Sequence, residues 1–168
     1  MKPLISTLLC MLIFSCSSSK SATGPGKPNK KDLKGTWEVT NIRFVGEEGL
    51  YKANIFDTAG SVCFKNSEWV FIPNNATGKF TLNQTNNCEA ISQRILWSFF
   101  ESEDGTYDFQ FKFVSEKNKP LADKTSGYRL KITDLSTSTM ETRVQTQQDG
   151  QDFDVVLSFK KISDDINL

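Results

Sequence analysis

Residues 107–113 read Tyr-Asp-Phe-Gln-Phe-Lys-Phe, and this strict alternation of aromatic and polar residues decides the fold class. Successive side chains of a β-strand point to opposite faces of the sheet, so the aromatic side chains fall on one face and the polar ones on the other. The same alternation recurs at residues 128–133 and 153–160. The pattern indicates antiparallel strands that have one buried face and one face in water.

Further strands are predicted at residues 60–65, 67–73, 77–83, 91–101 and 138–146. The first strand changes its inward phase between Val39 and Ile42, which predicts a bulge near Asn41. Residues 49–57 do not alternate and predict a short helix or an irregular lid. Tight turns are predicted where residues that tolerate positive φ cluster, namely Asn74-Asn75 with Gly78, Asp104-Gly105, Ser126-Gly127 and Asp149-Gly150.

An antiparallel meander of eight or nine such strands must close on itself or pack against a second sheet, because its edges would otherwise remain exposed. The simplest solution is an all-β fold, an antiparallel up-and-down β-barrel, and a two-sheet sandwich is the alternative. At 168 residues the chain has the length of one such domain with its flanking segments. We place the domain at residues 35–163, with a C-terminal tail at residues 164–168.

The composition argues against several classes of function. The chain has no His, which removes Ser-His-Asp and Cys-His catalysis and histidine metal sites. Its 20 Lys and Arg balance 20 Asp and Glu, so no overall positive field favours nucleic acid. The acidic residues between 101 and 108 are interpreted as a solvated hairpin tip. We therefore expect no enzymatic activity, no catalytic residue, no metal, no cofactor and no nucleic-acid partner.

The N-terminal residues have the form of an export signal. The apolar run over residues 4–14 is shorter than the roughly 20 apolar residues that span a membrane. Ile13 and Ser15 before Cys16 resemble the box of bacterial lipoproteins, in which the cysteine is lipidated and becomes the first residue of the mature chain. We predict a signal peptide at residues 1–15 and lipidation at Cys16, and an ordinary signal peptide cut nearby is the alternative.

Residues 16–34 contain Ser, Gly and Pro with five Lys and one Asp, and almost nothing apolar. This composition predicts a flexible tether whose lysines either attract anionic lipid headgroups or are simply solvated. We expect a lipid-anchored protein of the cell envelope at the outer membrane. The absence of an acidic run after Cys16 resembles periplasm-facing rather than surface-exported lipoproteins, and this resemblance implies the periplasmic face.

Two cysteines, Cys63 and Cys88, remain for the domain. In an oxidising compartment they suggest one disulfide that closes a loop of 24 intervening residues. Two free buried thiols are the first alternative. A redox or metal pair is the second, although the spacing is not C-x-x-C and two cysteines without histidine are too few for a zinc site.

The motif Leu-x-Gly-x-Trp at residues 33–37 opens the first strand. Together with Glu-Trp-Val-Phe at residues 68–71, Trp97 and the cysteine pair, it resembles the lipocalin-like lipoproteins of Bacteroidetes and related bacteria. The resemblance covers about residues 33–162 and implies a lipocalin-like barrel of the calycin type.

In that family the tryptophan closes the floor of the barrel against a basic side chain of the last strand. The resemblance therefore implies that Gly35 and Trp37 form the floor with Lys160 or Lys161. Asp57-Thr58-Ala59 resembles the short O-glycosylation sequon that Bacteroidetes use on exported proteins.

An eight-stranded barrel either holds one small ligand or is filled by its own side chains. The first case predicts binding of a small hydrophobic ligand. The second predicts a non-enzymatic envelope scaffold or interaction lipoprotein with an envelope protein as its partner. The residues expected to line a ligand cavity are Phe80, Leu82, Phe99, Phe109, Phe111, Tyr128 and Leu130.

Replacing Cys16 by alanine is expected to release the protein from the membrane or to block its processing, because alanine cannot carry a thioether-linked lipid. Fractionation of membranes and soluble contents measures the effect. Cys10→Ala is the control, since Cys10 lies inside the predicted signal peptide. Unchanged membrane residence of the Cys16→Ala variant would contradict the anchor.

Overall fold

The computed structural model describes residues 26–46, 53–122, 126–148 and 150–166. The predicted signal peptide, Cys16 and residues 17–25 of the predicted tether lie outside these ranges. No helix within them is long and apolar enough to cross a membrane. In chain order the elements are η1 (Lys30–Leu33), β1 (Gly35–Val45), β2 (Asn54–Ile55), β3 (Ala59–Gly60), η2 (Ser61–Phe64), β4 (Glu68–Ile72), β5 (Thr77–Leu82), β6 (Ile91–Glu101), β7 (Tyr107–Val114), β8 (Gly127–Leu135), β9 (Thr139–Gln148) and β10 (Gln151–Ser163), where η is a 3₁₀ helix.

Eight of the described strands close into one barrel in the order β1-β10-β9-β8-β7-β6-β5-β4, and β4 pairs back onto β1. All of these pairings are antiparallel. From β4 to β10 each strand pairs with the next one along the chain, which is the up-and-down arrangement. The predicted barrel is confirmed with eight strands, and the alternative of a two-sheet sandwich is wrong.

The bulge predicted in β1 is present. The register of β1 against β10 shifts between Val39 and Asn41. On the other side of β1, the pairing with β4 ends at Glu38. Beyond the bulge, β1 therefore pairs with β10 alone, and we call the end of the barrel that lies beyond it the upper end.

Two local expectations need correction or refinement. Residues 60–65 do not form a barrel strand, because Ser61–Phe64 is the 3₁₀ helix η2, in which the Lys65 amide donates to the Val62 carbonyl at 3.2 Å. Cys63 and Phe64 are both buried although they are neighbours, which a half-buried strand does not allow. In the described part of residues 49–57 there is no helix but β2 and a tight turn, as the lid alternative predicts.

The inner faces of β4–β7 carry aromatic rings that pack against one another. Trp69 stacks on Phe80 with ring centroids 4.8 Å apart, and Phe71 packs edge-on against Phe109 at 5.6 Å. The indole nitrogen of Trp97 donates to the Thr77 carbonyl at 2.7 Å, so its one polar atom is satisfied. Burial of each such ring stabilises the fold by about 1.5–3 kcal/mol relative to exposure, and these rings therefore anchor the core.

Trp37 forms the floor of the barrel, at the end opposite the upper end. It is fully buried, and its indole nitrogen donates to the Leu33 carbonyl of η1 at 2.9 Å. The basic partner is Lys161, whose Nζ lies 5.2 Å from the centroid of the Trp37 ring. Lys160, the other candidate, pairs with Glu38 and is exposed. The assignment of Lys160 is therefore wrong, because the register shift in β1 places Lys161 opposite Trp37.

Gly35 begins β1 with a positive φ of 112°. A Cβ atom at this position would overlap the carbonyl oxygen of Ser163 at the end of β10. Both the backbone angle and the close approach of β10 therefore require glycine, which agrees with a place in the floor.

The predicted disulfide is present between Cys63 and Cys88. It joins η2, which lies in the connection from β1 to β4, to the loop between β5 and β6. Neither cysteine is free for metal or redox chemistry in this state. The bond thus holds the C-terminal part of the connection between β1 and β4 in place at the upper end of the barrel.

Removal of the disulfide by Cys63→Ala with Cys88→Ala is expected to lower the free energy of unfolding by roughly 2–4 kcal/mol, because the unfolded chain regains the entropy of an open loop. Urea unfolding followed by tryptophan fluorescence measures the loss. The reduced wild-type protein serves as the matched control and is expected to lose a similar amount. An unchanged midpoint in both samples would count against a stabilising role.

Candidate functional site

A small hairpin covers the upper end of the barrel. It consists of β2 and β3, which pair through Asn54 with Gly60 and Ile55 with Ala59, and of the turn between them. We call residues 53–60 the lid hairpin. Ala53 and Ile55 are buried, and the Ser61 amide donates to the Ala53 carbonyl at 2.7 Å, so the hairpin is fastened to η2.

The turn of the lid hairpin has an unusual composition. Phe56 and Asp57 adopt φ values of 58° and 46°, and the Thr58 amide donates to the Ile55 carbonyl at 3.2 Å. Two successive positive φ angles at the centre of a turn are typical of type I′ turns, which strongly favour Asn-Gly or a similar pair. Phenylalanine in this conformation is strained, and only strong contacts elsewhere can hold it there.

The Phe56 side chain supplies those contacts, because it inserts into the upper end of the barrel and is 4% exposed. Its ring centroid lies 4.9 Å from that of Phe111, 5.3 Å from that of Phe64 and 5.5 Å from that of Tyr128. Trp69 lies below it at 6.3 Å. All four neighbours meet the ring edge to face, which is a favoured arrangement of aromatic pairs.

A polar contact on the outside holds the same turn. The Tyr128 hydroxyl donates to the Asp57 carboxylate at 3.2 Å. Burial raises the pKa of Tyr128 to about 12, and the negative charge of Asp57 acts in the same direction. Tyr128 thus contacts the lid hairpin twice, through its ring and through its hydroxyl.

A cleft of about 270 Å³ separates the lid hairpin from the adjacent wall of the barrel. Asn54–Asp57 lines one side, and Tyr128 with Val144–Thr146 lines the other. Phe56 thus belongs both to the lining of this surface cleft and to the aromatic core.

The residues predicted to line a cavity all point into the barrel. Phe111 and Tyr128 contact the Phe56 ring. The others belong to the hydrophobic core or pack against it; of these, Phe99 is partly buried, and the buried ones are Phe80, Leu82, Phe109 and Leu130. The sequence therefore predicts correctly which face of each strand points inward. In the structure these inward side chains pack against one another.

Sequence reasoning missed Phe56 and Phe64 as parts of this site. Phe56 lies in a stretch without alternation, and Phe64 lies in a segment that the sequence pattern predicts as a strand. A turn pair Phe-Asp carries no signal for a type I′ turn. The role of Phe56 depends on contacts with strands that are distant in sequence, and no local pattern reports those contacts.

The acidic cluster near the turn between β6 and β7 has local partners. Asp104 accepts hydrogen bonds from the Thr106 side chain and amide, and these hold the pKa of Asp104 below its usual value. Asp108 lies 3.6 Å from the Arg129 guanidinium on the outer face. Within the ranges that the structure describes, no group of three or more Cys, Asp or Glu side chains is placed to hold a metal.

The predicted sequon at residues 57–59 lies in the lid hairpin. The Asp57 carboxylate accepts from Tyr128, and the Thr58 hydroxyl donates to the Phe56 carbonyl at 2.7 Å. Its glycosylation stays a prediction.

No known protein family matches this chain, and no curated protein matches it. Among solved structures, the chain is similar to bovine odorant binding protein complexed with its natural ligand, with 18% identity over 84% of this chain and 78% of that chain and a TM-score of 0.41. The same figures apply to the complex of that protein with undecanal. A deswapped triple mutant of it gives 19% identity over 77% and 74% and a TM-score of 0.39. These scores add nothing to the architecture that the strand pairing itself establishes.

Tyr128→Phe is expected to remove a part of the pH dependence of stability in alkaline solution. In an unfolded chain the tyrosine pKa is about 10, whereas in the fold the pKa of Tyr128 is raised to about 12. The hydroxyl therefore contributes stability below pH 10 that is lost as the pH rises through 12. Thermal unfolding between pH 8 and 12 measures the difference between wild type and variant.

Asp57→Asn is the matched control for this prediction, because asparagine suits the turn and lacks the charge. In that variant the alkaline loss is expected to begin at the same pH but to be smaller and to end at lower pH, since only burial still raises the pKa of Tyr128. Identical curves for wild type and Tyr128→Phe would contradict the contact.

Proposed function

We propose that the protein binds a small hydrophobic ligand in the upper half of the barrel, with the lid hairpin as the gate and Phe56 as the plug. The observation that carries this proposal is the Phe56 ring, which is held in a strained turn and inserted among four aromatic rings. In this closed state an aromatic side chain of the protein occupies the place that a ligand ring would take.

The strain makes the gate easier to open. A bulky residue held in the left-handed region costs on the order of 1–3 kcal/mol, and this cost disappears once the turn relaxes. Burial of the ring stabilises the closed state by a similar amount, roughly 1.5–3 kcal/mol. The two terms nearly offset each other, so a ligand that restores the aromatic contacts needs little further free energy to hold the lid open.

The geometry of the plug sets the size and chemistry of the ligand. The rings of Phe64, Trp69, Phe111 and Tyr128 surround a volume that fits one aromatic ring. Their edge-to-face contacts favour a planar aromatic or another compact apolar group. We infer binding rather than catalysis, because the rings around Phe56 carry no nucleophile or base other than the Tyr128 hydroxyl, whose pKa is raised to about 12.

The second candidate is a scaffold or interaction protein of the envelope with a barrel filled by side chains. The contacts among Trp69, Phe71, Phe80 and Phe109 across the middle of the barrel favour it. In that case Phe56 would complete the core and would not yield to a ligand.

We further propose that the protein is anchored through Cys16 at the outer membrane, with the barrel in the periplasm. The tether would enter the fold at η1, beside Trp37 in the floor. The lid hairpin lies at the opposite end of the barrel. In an anchored protein the tether would therefore join the barrel at the end opposite the gate, which leaves the gate accessible from the aqueous side.

Phe56→Gly tests the gate. Glycine adopts the turn without strain and removes the plug, so the affinity for N-phenyl-1-naphthylamine is expected to rise about tenfold over wild type, equal to about 1.4 kcal/mol. Fluorescence of the probe during titration of the purified protein measures the affinity.

Phe100→Ala is the matched control, because Phe100 is 40% exposed and lies under the Arg129 guanidinium on the outer face. This variant is expected to bind the probe like wild type. Absence of binding by both wild type and Phe56→Gly, while both unfold cooperatively, would favour the scaffold.

A further inference from the structure

Thr142 lies on the inner face of β9, in the middle of the barrel wall. It pairs with Ile132 of β8 on one side and with Leu157 of β10 on the other. It is fully buried, with 0% of its surface exposed. Among the residues that the structure describes, its hydroxyl finds no hydrogen-bond partner.

This unpaired hydroxyl is anomalous. A buried polar group without a partner is destabilising, and valine has the same shape without the hydroxyl. The other buried threonines are satisfied, since the Thr36 hydroxyl donates to the Asp165 carbonyl at 2.9 Å and the Thr77 hydroxyl donates to Asn75 at 2.7 Å. Thr142 therefore presents a free hydrogen-bonding group to the barrel interior.

The surroundings of Thr142 select an uncharged partner. Its cross-strand neighbours Ile132 and Leu157 are aliphatic and at most 1% exposed. The ionisable groups described at the ends of the interior are Lys161 over the Trp37 ring and Tyr128 beside the lid hairpin. A carboxylate or an ammonium group next to Thr142 would be buried without a counter-ion, which is strongly unfavourable.

Thr142 lies below the gate on the same wall. Val144, which lines the cleft beside the lid hairpin, is two residues nearer the upper end of β9. Two residues of a strand span about 7 Å. Leu130 and Val144 belong to the interior between Thr142 and the gate, so an alkyl chain passing there would contact aliphatic side chains.

We propose that the Thr142 hydroxyl is the polar anchor of the barrel site, and that the site takes a neutral ligand with an apolar ring and a chain ending in one hydroxyl or carbonyl group. This inference rests on the proposed function and gives its ligand class. The ring replaces the Phe56 ring at the gate, and the polar group reaches the hydroxyl of Thr142. Such an arrangement, an apolar site with one placed polar group, is the usual way in which a pocket orients a small molecule.

The test compares 5-phenylpentan-1-ol with pentylbenzene, two molecules that differ by one hydroxyl group. Displacement of N-phenyl-1-naphthylamine from the Phe56→Gly protein, in which the gate is open, measures both affinities. A hydroxyl buried without a partner would make the alcohol bind more weakly than pentylbenzene, because it loses its hydrogen bonds to water. A hydrogen bond to Thr142 is expected to make the alcohol bind about tenfold more tightly than in that unpaired case. Thr142→Val in the same background is expected to remove this preference, whereas Thr142→Ser is expected to retain it.

Thermal unfolding of the two Thr142 variants provides a second measurement. Thr142→Val is expected to unfold at the same or a higher temperature than its parent, because it removes an unpaired buried group. A gain in stability together with a loss of preference for the alcohol identifies the hydroxyl as a ligand-binding group, since a structural hydroxyl would give a loss in stability.

The outcomes separate the two proposals. If both probes bind and Thr142→Val changes neither affinity, the anchor is overturned and the gated site stands. If N-phenyl-1-naphthylamine itself does not bind, the gated site is overturned and the anchor falls with it. If Thr142→Val lowers the unfolding temperature strongly, the hydroxyl has a structural partner and the anchor is overturned.

Discussion

The bulge between Val39 and Asn41 determines how the two ends of the barrel differ. Up to Glu38, β1 pairs with both β4 and β10 and closes the wall completely. At the bulge the Val39 amide donates to the Ser67 carbonyl, and the Val39 carbonyl accepts from the Asn66 amide, both in the connecting segment. Beyond the bulge β1 pairs with β10 alone. The floor is thus sealed by strands and by Trp37, whereas the upper end is sealed by the segment that contains η2 and the lid hairpin.

This division explains why the aromatic core continues into the lid hairpin. At the upper end the barrel wall has no β1–β4 pairing, so residues of the connecting segment cover the rings there. Phe56 and Phe64 come from the connecting segment and cover them. The disulfide at Cys63 fixes one side of that segment to the loop after β5. The turn at Phe56 has no covalent restraint of this kind, and its position depends on ring contacts and the hydrogen bond from Tyr128.

The fold was predictable because its evidence is local. Alternation at residues 107–113 and glycine-containing turns report strand faces and hairpins directly, and the phase change at Asn41 reports the bulge. The candidate site was only half predictable. Phe111 and Tyr128 follow the alternation, whereas Phe56 reaches the site through a turn that its residues disfavour. The choice between Lys160 and Lys161 was predictable as well, because the alternation of Phe153, Val155, Leu157 and Phe159 puts Lys161 on the inner face of β10 and Lys160 on the outer face.

If Phe56 is the plug of a ligand site, as we propose, its presence changes what a measured affinity means. In the closed state Phe56 fills the upper interior, so a ligand would find an empty site only in molecules whose lid hairpin is open. Every measured dissociation constant would then be an apparent constant, equal to the intrinsic constant divided by the fraction of molecules with the lid open. Chemically unrelated ligands would share that one factor. Differences among their dissociation constants would reflect contacts in the site. The weakening that all of them share would reflect the cost of displacing Phe56.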